Sequence, residues 1–573
     1  MRVSTLSAWL IPCGLLGILL AACSGGSSGE NTPLATDSAT IATGKILFNR
    51  HCAGCHNFRQ DGIGPKLGGI TAELSARQIA RLIQQPEKLL QSGDTRWADL
   101  RKRFKTTMPS FSGLSDQEVH AIVAFLNIHQ SRGRTLVEVA DKGLADPIPA
   151  KIGLSDEVMN LQFVAQIPPS SPTGQPPLAR ITKLDYSPGS GQLFVNDLRG
   201  KLYKLVQGKP VVYMDLARLR PHFVAEPGLA TGFGSFAFHP DFRRNGLFYT
   251  THSEAPGSAK ADFSYADSID VTLQWVLTEW KATNPQADTF SGTSRELLRI
   301  DFVSGIHGMQ EIAFNPRAKA GGPDYGLLYV AVGDGGSVEN GYPFLPHNRN
   351  HAWGTILRID PAGRTSRNGQ YGIPPTNPFA HGGYHEYLGE IYAYGFRNPH
   401  RLTWTHDGRL LVSNVGQHNI EGIYQADPGS DAGWPVREGP FRVNPEGNLD
   451  YVYPLPANDS MYHFNYPVAM YDHDEGSAIC GGFEYLGPGR PDQFLFGDIP
   501  SGRLFGFDLK NSQPATPATI WEWRVSLDGK TRSLKDITGS DRVDLHFGRG
   551  SRGELYLLTK ADGKIYRITG PGK

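Results

Sequence analysis

The apolar pattern changes period part-way along the chain. Before about residue 130, apolar residues recur at the spacing of a helix face; from about residue 159 they come in short runs punctuated by Gly and Pro. Residues 41–50 read as an amphipathic helix. Residues 75–85 read as another, with Ile79, Leu82 and Ile83 on one face and Pro86 as the stop. A third has a sharp start. Ser115-Asp116-Gln117-Glu118 is a capping box, and Val119, Ile122, Val123, Phe125 and Leu126 form its apolar stripe. Residues 38–130 are therefore expected to form a small all-α domain. The polar stretch 131–158, without a strong apolar period, is expected to be a linker.

The remainder repeats a phrase: an apolar pair, a Pro or Gly turn, then Leu followed by aromatic or aliphatic residues. It occurs six times, at residues 184–195, 236–249, 312–330, 402–412, 483–496 and 545–557. Strand pairs of this kind cannot bury both faces alone, but a radial array of them can. The pattern predicts an all-β, six-bladed propeller over residues 159–573, with an early strand around residues 161–164 closing against the last blade. A β-sandwich is the rival, but it ordinarily holds fewer repeats. Blade spacing is uneven, so long loops gather on one face, where a site is expected.

Length and composition fit this picture. The 573 residues exceed one small core, and Gly 67 with Pro 41 suits many short strands and tight turns. Lys+Arg 56 balances Asp+Glu 56, which gives no case for a nucleic-acid partner.

The N-terminus is an address. An apolar run over residues 9–20 follows Arg2 and ends in Leu20-Ala21-Ala22-Cys23, which resembles a bacterial lipobox. The expectation is a signal peptide over residues 1–22, lipidation of Cys23 and a Gly/Ser-containing tether over residues 23–37. Ordinary signal cleavage with Cys23 incidental is the plainer reading. Ser24 after the cysteine resembles lipoproteins sorted to the outer membrane. That implies a bacterial, periplasmic-side protein held to the membrane by a lipid anchor. Cys480 has no obvious partner and reads as a buried free thiol.

Cys52-Ala53-Gly54-Cys55-His56 is the C-x-x-C-H pattern of covalent haem attachment. The cysteines add to the haem vinyl groups, and His56 reaches the iron from the same short loop. Met108, in Thr106-Thr107-Met108-Pro109, offers the opposite axial ligand; a thioether there raises the potential and suits electron acceptance. Spacing alone also permits a core methionine. No second cysteine pair follows to complete a zinc site, and the helical flanks do not suit a thioredoxin-like dithiol. The order of helix, C-x-x-C-H, Gly64-Pro65-Lys66-Leu67, Met108-Pro109 and terminal helix resembles a class I cytochrome c. That resemblance places Pro65 near the haem histidine.

Three loops of the repeat region concentrate polar residues beside Gly: Gly305-Ile306-His307-Gly308, Val332-Gly333-Asp334-Gly335-Gly336, and Tyr394-Gly395-Phe396-Arg397-Asn398-Pro399-His400. They offer a base, a carboxylate and a cation, although any one alone fits a structural loop equally well. With Phe238-His239-Pro240-Asp241-Phe242, Gly433-Trp434-Pro435, and the pair Gly497-Asp498 and Gly502-Arg503, they resemble the soluble PQQ-dependent sugar dehydrogenases, from about residue 161 to 568. The resemblance implies PQQ and calcium as cofactors. It places His307 as general base, Arg397 and Asn398 beside the quinone, the Gly416 and Gln417 carbonyls on calcium, and Arg542 near the quinone carboxylates. The chain departs from the family in having Arg542-Val543-Asp544 where Arg-x-Arg is common and Ile306 before the base. A matching lysine that clamps the quinone is not evident. The region around His307 also resembles Hedgehog-interacting-protein-like propellers.

Two functions are carried forward. In one, a sugar or alcohol hydroxyl is oxidised on the loop face. His307 takes its proton, and electrons pass singly to the haem and on to a soluble cytochrome or respiratory chain. In the other, the propeller binds a saccharide or protein without turnover, and the haem serves another partner.

Overall fold

The computed structural model describes residues 35–53, 55–61, 64–90, 95–104, 108–130, 143–226, 230–266, 268–381, 387–487, 492–514 and 516–572. The signal peptide, Cys23, most of the tether and the first part of the linker lie outside them. Among the described residues no helix is long and apolar enough to cross a membrane.

The N-terminal region is helical, as its periodicity predicts. Helix Ser38–His51 starts at Asp37, whose carboxylate accepts from the Thr40 N–H at 2.8 Å. Helix Asp116–Ile128 carries the expected capping box, with the Ser115 N–H donating to Glu118 at 2.8 Å. Helix Ala76–Gln84 has a second box, from Ser75 and Gln78. The first and last helices cross closely at Gly44, where a Cβ would lie 1.9 Å from the Ala121 carbonyl oxygen; only glycine lets the backbones approach this far. Phe48, Ile79, Ile83, Trp97, Ile122 and Phe125 fill the core, each contributing about 2 kcal/mol by leaving water. Two helices escaped the periodicity. Pro86, expected only as a stop, also opens the short helix Pro86–Leu90, since proline is tolerated in a helix's first turn. Helix Thr95–Arg103 buries only Trp97, too little to give an apolar period.

The rest is a β-rich, propeller-like domain. Strand groups 233–302, 311–394 and 399–472 each form a four-stranded antiparallel meander. The first, fifth and sixth repeats join in a larger sheet of 13 strands. The first strands of the successive groups are Ile181–Tyr186, Phe233–Phe238, Glu311–Phe314, Pro399–Trp404, Ile479–Tyr485 and Leu545–Arg549. Each packs on the next, and Leu545–Arg549 packs on Ile181–Tyr186. Each repeated phrase thus falls on the first two strands of a group. Strand Gly153–Gln166 pairs antiparallel with Lys564–Gly572, with Leu161 opposite Ile568. This strand corrects the expected linker boundary. Residues 153–158 belong to the sheet because their other edge pairs in parallel with Trp521–Leu527.

Charged groups lie where the first strands converge. Glu311, 2% exposed, accepts from Lys183 Nζ and lies 3.3 Å from the Arg401 guanidinium, which also donates to the Thr182 carbonyl. Cys480 is fully buried, and burial pushes its thiol pKa well up, as expected of an inert thiol.

Candidate functional site

The haem loop is built around His56. Its Nδ1 lies 2.7 Å from the Pro65 carbonyl, so Nδ1–H donates there and Nε2 is left to bind iron. Burial holds the His56 pKa below its usual value, keeping the ring neutral as a ligand must be. Cys52 and Cys55 are free thiols, and burial pushes Cys52 up to about 12 and Cys55 to about 11. Met108 packs half-buried on the same apolar cluster as Cys52. Two unbridged thiols, a ring with one nitrogen tied and one free, and a thioether against one core fit a covalent haem.

On the β domain, the His307 and Asp334 loops meet. His307 Nδ1 lies 2.8 Å from Asp334 Oδ1, so Nδ1–H donates to the carboxylate and Nε2 is the free acceptor. Gly336 N donates to the same oxygen at 2.8 Å, and Trp434 Nε1 donates to Oδ2 at 2.9 Å. Burial alone would raise the Asp334 carboxyl. The hydrogen bond and charge of His307, helped by Arg397 and the Gly336 N–H, hold it below the ordinary carboxylate value. The loops approach so closely that a Cβ on Gly333 would sit 2.2 Å from the His307 carbonyl oxygen. His307 itself has φ +52°, left-handed backbone that costs a histidine of order 1 kcal/mol and is common at functional sites.

Arg397 lies beside this pair. Its guanidinium donates to Glu339 at 2.5 Å, to Gln417 Oε1 at 2.8 Å and to the Gly416 carbonyl, over the Trp434 ring. The expected neighbours Asn398, Gly416 and Gln417 are therefore brought together with Arg397. Glu438 holds the loop after Gly416 by accepting from the N–H groups of Gln417, Asn419 and Ile420. Asn398 Oδ1 and Gln417 Nε2 are buried without a hydrogen-bond partner among the described residues. Unused buried donors and acceptors of this kind suit a polar planar ligand such as a quinone.

Arg542, expected near the quinone carboxylates, pairs with a carboxylate of the chain. Its Nε lies 2.8 Å from Asp544, and its charge acts on Cys55 of the haem loop. Asp544, which stands where the second arginine of the family pattern would be, partly neutralises it. Asp498 is a structural pin, accepting from the N–H groups of Ser477, Ala478 and Ser501.

The two regions touch on this loop side. Arg59 lies against Gly341, and Lys45 Nζ pairs with Asp270 at 2.8 Å.

The helical region with its haem-attachment loop and the propeller-like domain together define a two-part chain, a cytochrome c region followed by a dehydrogenase-family propeller. The chain belongs to the glucose/sorbosone dehydrogenase family, whose model matches residues 182–482, and a cytochrome c model matches residues 41–129. It is 27% identical over 405 residues to the HIPL1 protein of Arabidopsis thaliana, covering 61% of this chain and 54% of that one. It is 26% identical over 236 residues to quinoprotein glucose dehydrogenase B of Acinetobacter calcoaceticus, covering 38% and 42%. The chain thus spans about half the length of these curated relatives. A solved glucose dehydrogenase superposes with TM-score 0.50 at 17% identity, covering 72% of this chain and 99% of its own, a likeness of fold.

Proposed function

We propose that this chain is a quinohaemoprotein dehydrogenase: a sugar or alcohol hydroxyl is oxidised on the loop face of a six-bladed propeller, and the electrons leave through the haem domain. The observation that carries the reading is the His307–Asp334 pair, which holds one ring nitrogen and frees the other. Bound PQQ would supply a two-electron acceptor, and haem on Cys52, Cys55 and His56 a one-electron carrier.

The rest falls to the chain's own side chains. His307 Nε2 accepts the hydroxyl proton. Asp334 keeps Nδ1–H in place and stabilises the imidazolium that results. Gly336 and Trp434 fix Asp334, and Arg397 sets a cation beside the reacting face. The neighbouring haem loop, with Cys55 within the field of Arg542, gives the electrons a short way out. Calcium on the Gly416 and Gln417 carbonyls belongs to the proposal too, and requires Arg397 to release the Gly416 carbonyl.

The test is His307→Gln in protein carrying haem and reconstituted with PQQ. Quinone binding should persist, while haem reduction by an aldose or alcohol falls by about two to four orders of magnitude. Wild-type reduction rates in the variant would exclude His307 as the base. A second reading, a binding module beside a cytochrome, is favoured by one feature: Arg542 is tied to Asp544. No quinone uptake by the wild-type protein would select it.

A further inference from the structure

A cavity of about 570 Å³ opens between two loops that also hold the reacting pair. Its size falls in the range of small-molecule sites, roughly 300–1,000 Å³. One wall is the loop that starts at Glu339, the acceptor for Arg397, and continues through Phe344, His347 and Arg349. The other is Pro435 and Val436, which follow Trp434, the donor to Asp334. Tyr387 and Glu446 also line it. The mechanism above uses none of these lining residues.

The cavity carries its own fixed polar groups. His347 Nε2 lies 2.9 and 2.8 Å from the two Asp431 oxygens, so Nε2–H donates there and Nδ1 is left as an acceptor. Gly433 N donates to Asp431 as well, at 2.9 Å, and steadies the carboxylate. His347 has φ +57°, left-handed backbone of the kind that collects at ligand sites. The Arg349 guanidinium lies 4.2 Å over the Tyr387 ring and 5.7 Å over Phe379, and no carboxylate pairs with it among the described residues. Glu446 is exposed and adds an acceptor. Aromatic faces surround these groups. Phe344 is 58% exposed, the Phe464 ring stands 5.8 Å from His347, and Tyr462, 53% exposed, stacks on Phe464 at 5.6 Å.

This mixture selects among ligands. An inorganic oxyanion would meet the Glu446 carboxylate, and a metal cation would meet the Arg349 guanidinium. A lipid chain would leave the imidazole, guanidinium and carboxylate without partners. A sugar ring presents an apolar C–H face to an aromatic side chain and a rim of hydroxyls that both donate and accept. We propose that the cavity is an oligosaccharide subsite: the substrate is a chain of sugar units, with one end at His307 and the next units on the loop of Phe344, His347 and Arg349. The proposal deepens the dehydrogenase reading and rests on it. The Tyr462–Phe464 stack beside His347 offers a further platform for a longer chain.

The experiment is calorimetry on the full-length haem-loaded protein before any quinone is added. Glucose and xylose are compared with maltotriose, cellotriose and xylotriose. At least one trisaccharide should bind about tenfold or more tightly than its monosaccharide, because it fills the cavity. Phe344→Ala removes an exposed ring that the fold does not need. It should weaken that trisaccharide about threefold to tenfold, the scale of one aromatic contact, and leave monosaccharide binding unchanged. Arg349→Ala should act in the same direction. Phe163→Ala is the control, an equally exposed ring on strand Gly153–Gln166, and should bind as wild type. After reconstitution with PQQ, Phe344→Ala and Arg349→Ala should raise KM for the trisaccharide at unchanged kcat, since a subsite holds substrate and transition state alike. Equal affinity of the parent for single sugars and trisaccharides overturns the subsite, as do variants that keep the full difference. A reconstituted parent that oxidises no sugar overturns the dehydrogenase reading instead, and the calorimetry still decides the subsite.

Discussion

Replacing Asp334 by Asn tests the candidate catalytic pair without removing the base. Asp334 is 1% exposed and accepts three hydrogen bonds, from His307 and Gly336 on Oδ1 and from Trp434 on Oδ2. An amide has one oxygen for these two positions. If the oxygen faces His307, the NH₂ meets the Trp434 N–H, and a buried donor is left facing a donor. If the amide is turned, the NH₂ faces Nδ1 and drives the proton to Nε2, and the ring can no longer accept from substrate. The first arrangement keeps the tautomer but loses the charge opposite the imidazolium, an interaction of about 4 kcal/mol at close range and intermediate dielectric. The second loses the base. Either predicts an increase of roughly 3–4 kcal/mol in the barrier, a fall in turnover of about two to three orders of magnitude. The assay is haem reduction by substrate in a stopped flow, with the quinone bound at saturation and its affinity measured separately. The orphaned N–H should also cost about 1–3 kcal/mol of stability, read from a denaturant midpoint. A folded variant that reduces its haem at the wild-type rate would refute the pair as catalytic machinery.

Other outcomes follow from the same structure. Glu311→Gln leaves Lys183 and Arg401 buried without their shared carboxylate and should destabilise the β domain by about 3–5 kcal/mol, while the haem spectrum stays intact; a change under about 1 kcal/mol would contradict the role. Burial, with Arg542, Arg180 and Arg401 adding to it and Asp544 opposing, pulls the Lys560 ammonium from 10.5 down to about 8. The unfolded chain therefore binds more protons between those values. Stability should be flat below pH 8 and rise by about 3 kcal/mol toward pH 10.5, and denaturant titrations of Lys560→Met against wild type should lose that rise. Met108→Ala should keep the haem covalently attached but lower its potential and open the iron to added ligands; an unchanged spectrum would remove Met108 as the axial ligand. Cys23→Ser should release the protein from the membrane fraction or leave it unprocessed, and a mature-sized variant that still needs detergent would argue against lipidation.

What could be read in the sequence depended on whether a feature is local. The capping boxes at Ser75 and Ser115 and the haem loop are completed within a few residues, and the Pro65 carbonyl that orients His56 is only nine positions away. The six repeat phrases fell on strand pairs because a strand's period and its turn are local too. His307 and Asp334 are 27 positions apart; each loop was visible, but their pairing depends on how two strands bring the loops together. Lys560 left no trace at all. A lysine after a strand looks like any solvated charge, and burial is set by the neighbouring strands that cover it. His400 was read as part of the Arg397 loop and His546 as part of a strand phrase, and neither spacing hints that the rings meet. Arg542 shows the converse. Its motif was legible, but the side chain two residues on, Asp544, decides what the guanidinium can still bind. A motif shows which charge is present. The charges packed around it determine whether it is free to act, and here Asp544 sits against the guanidinium that the motif names.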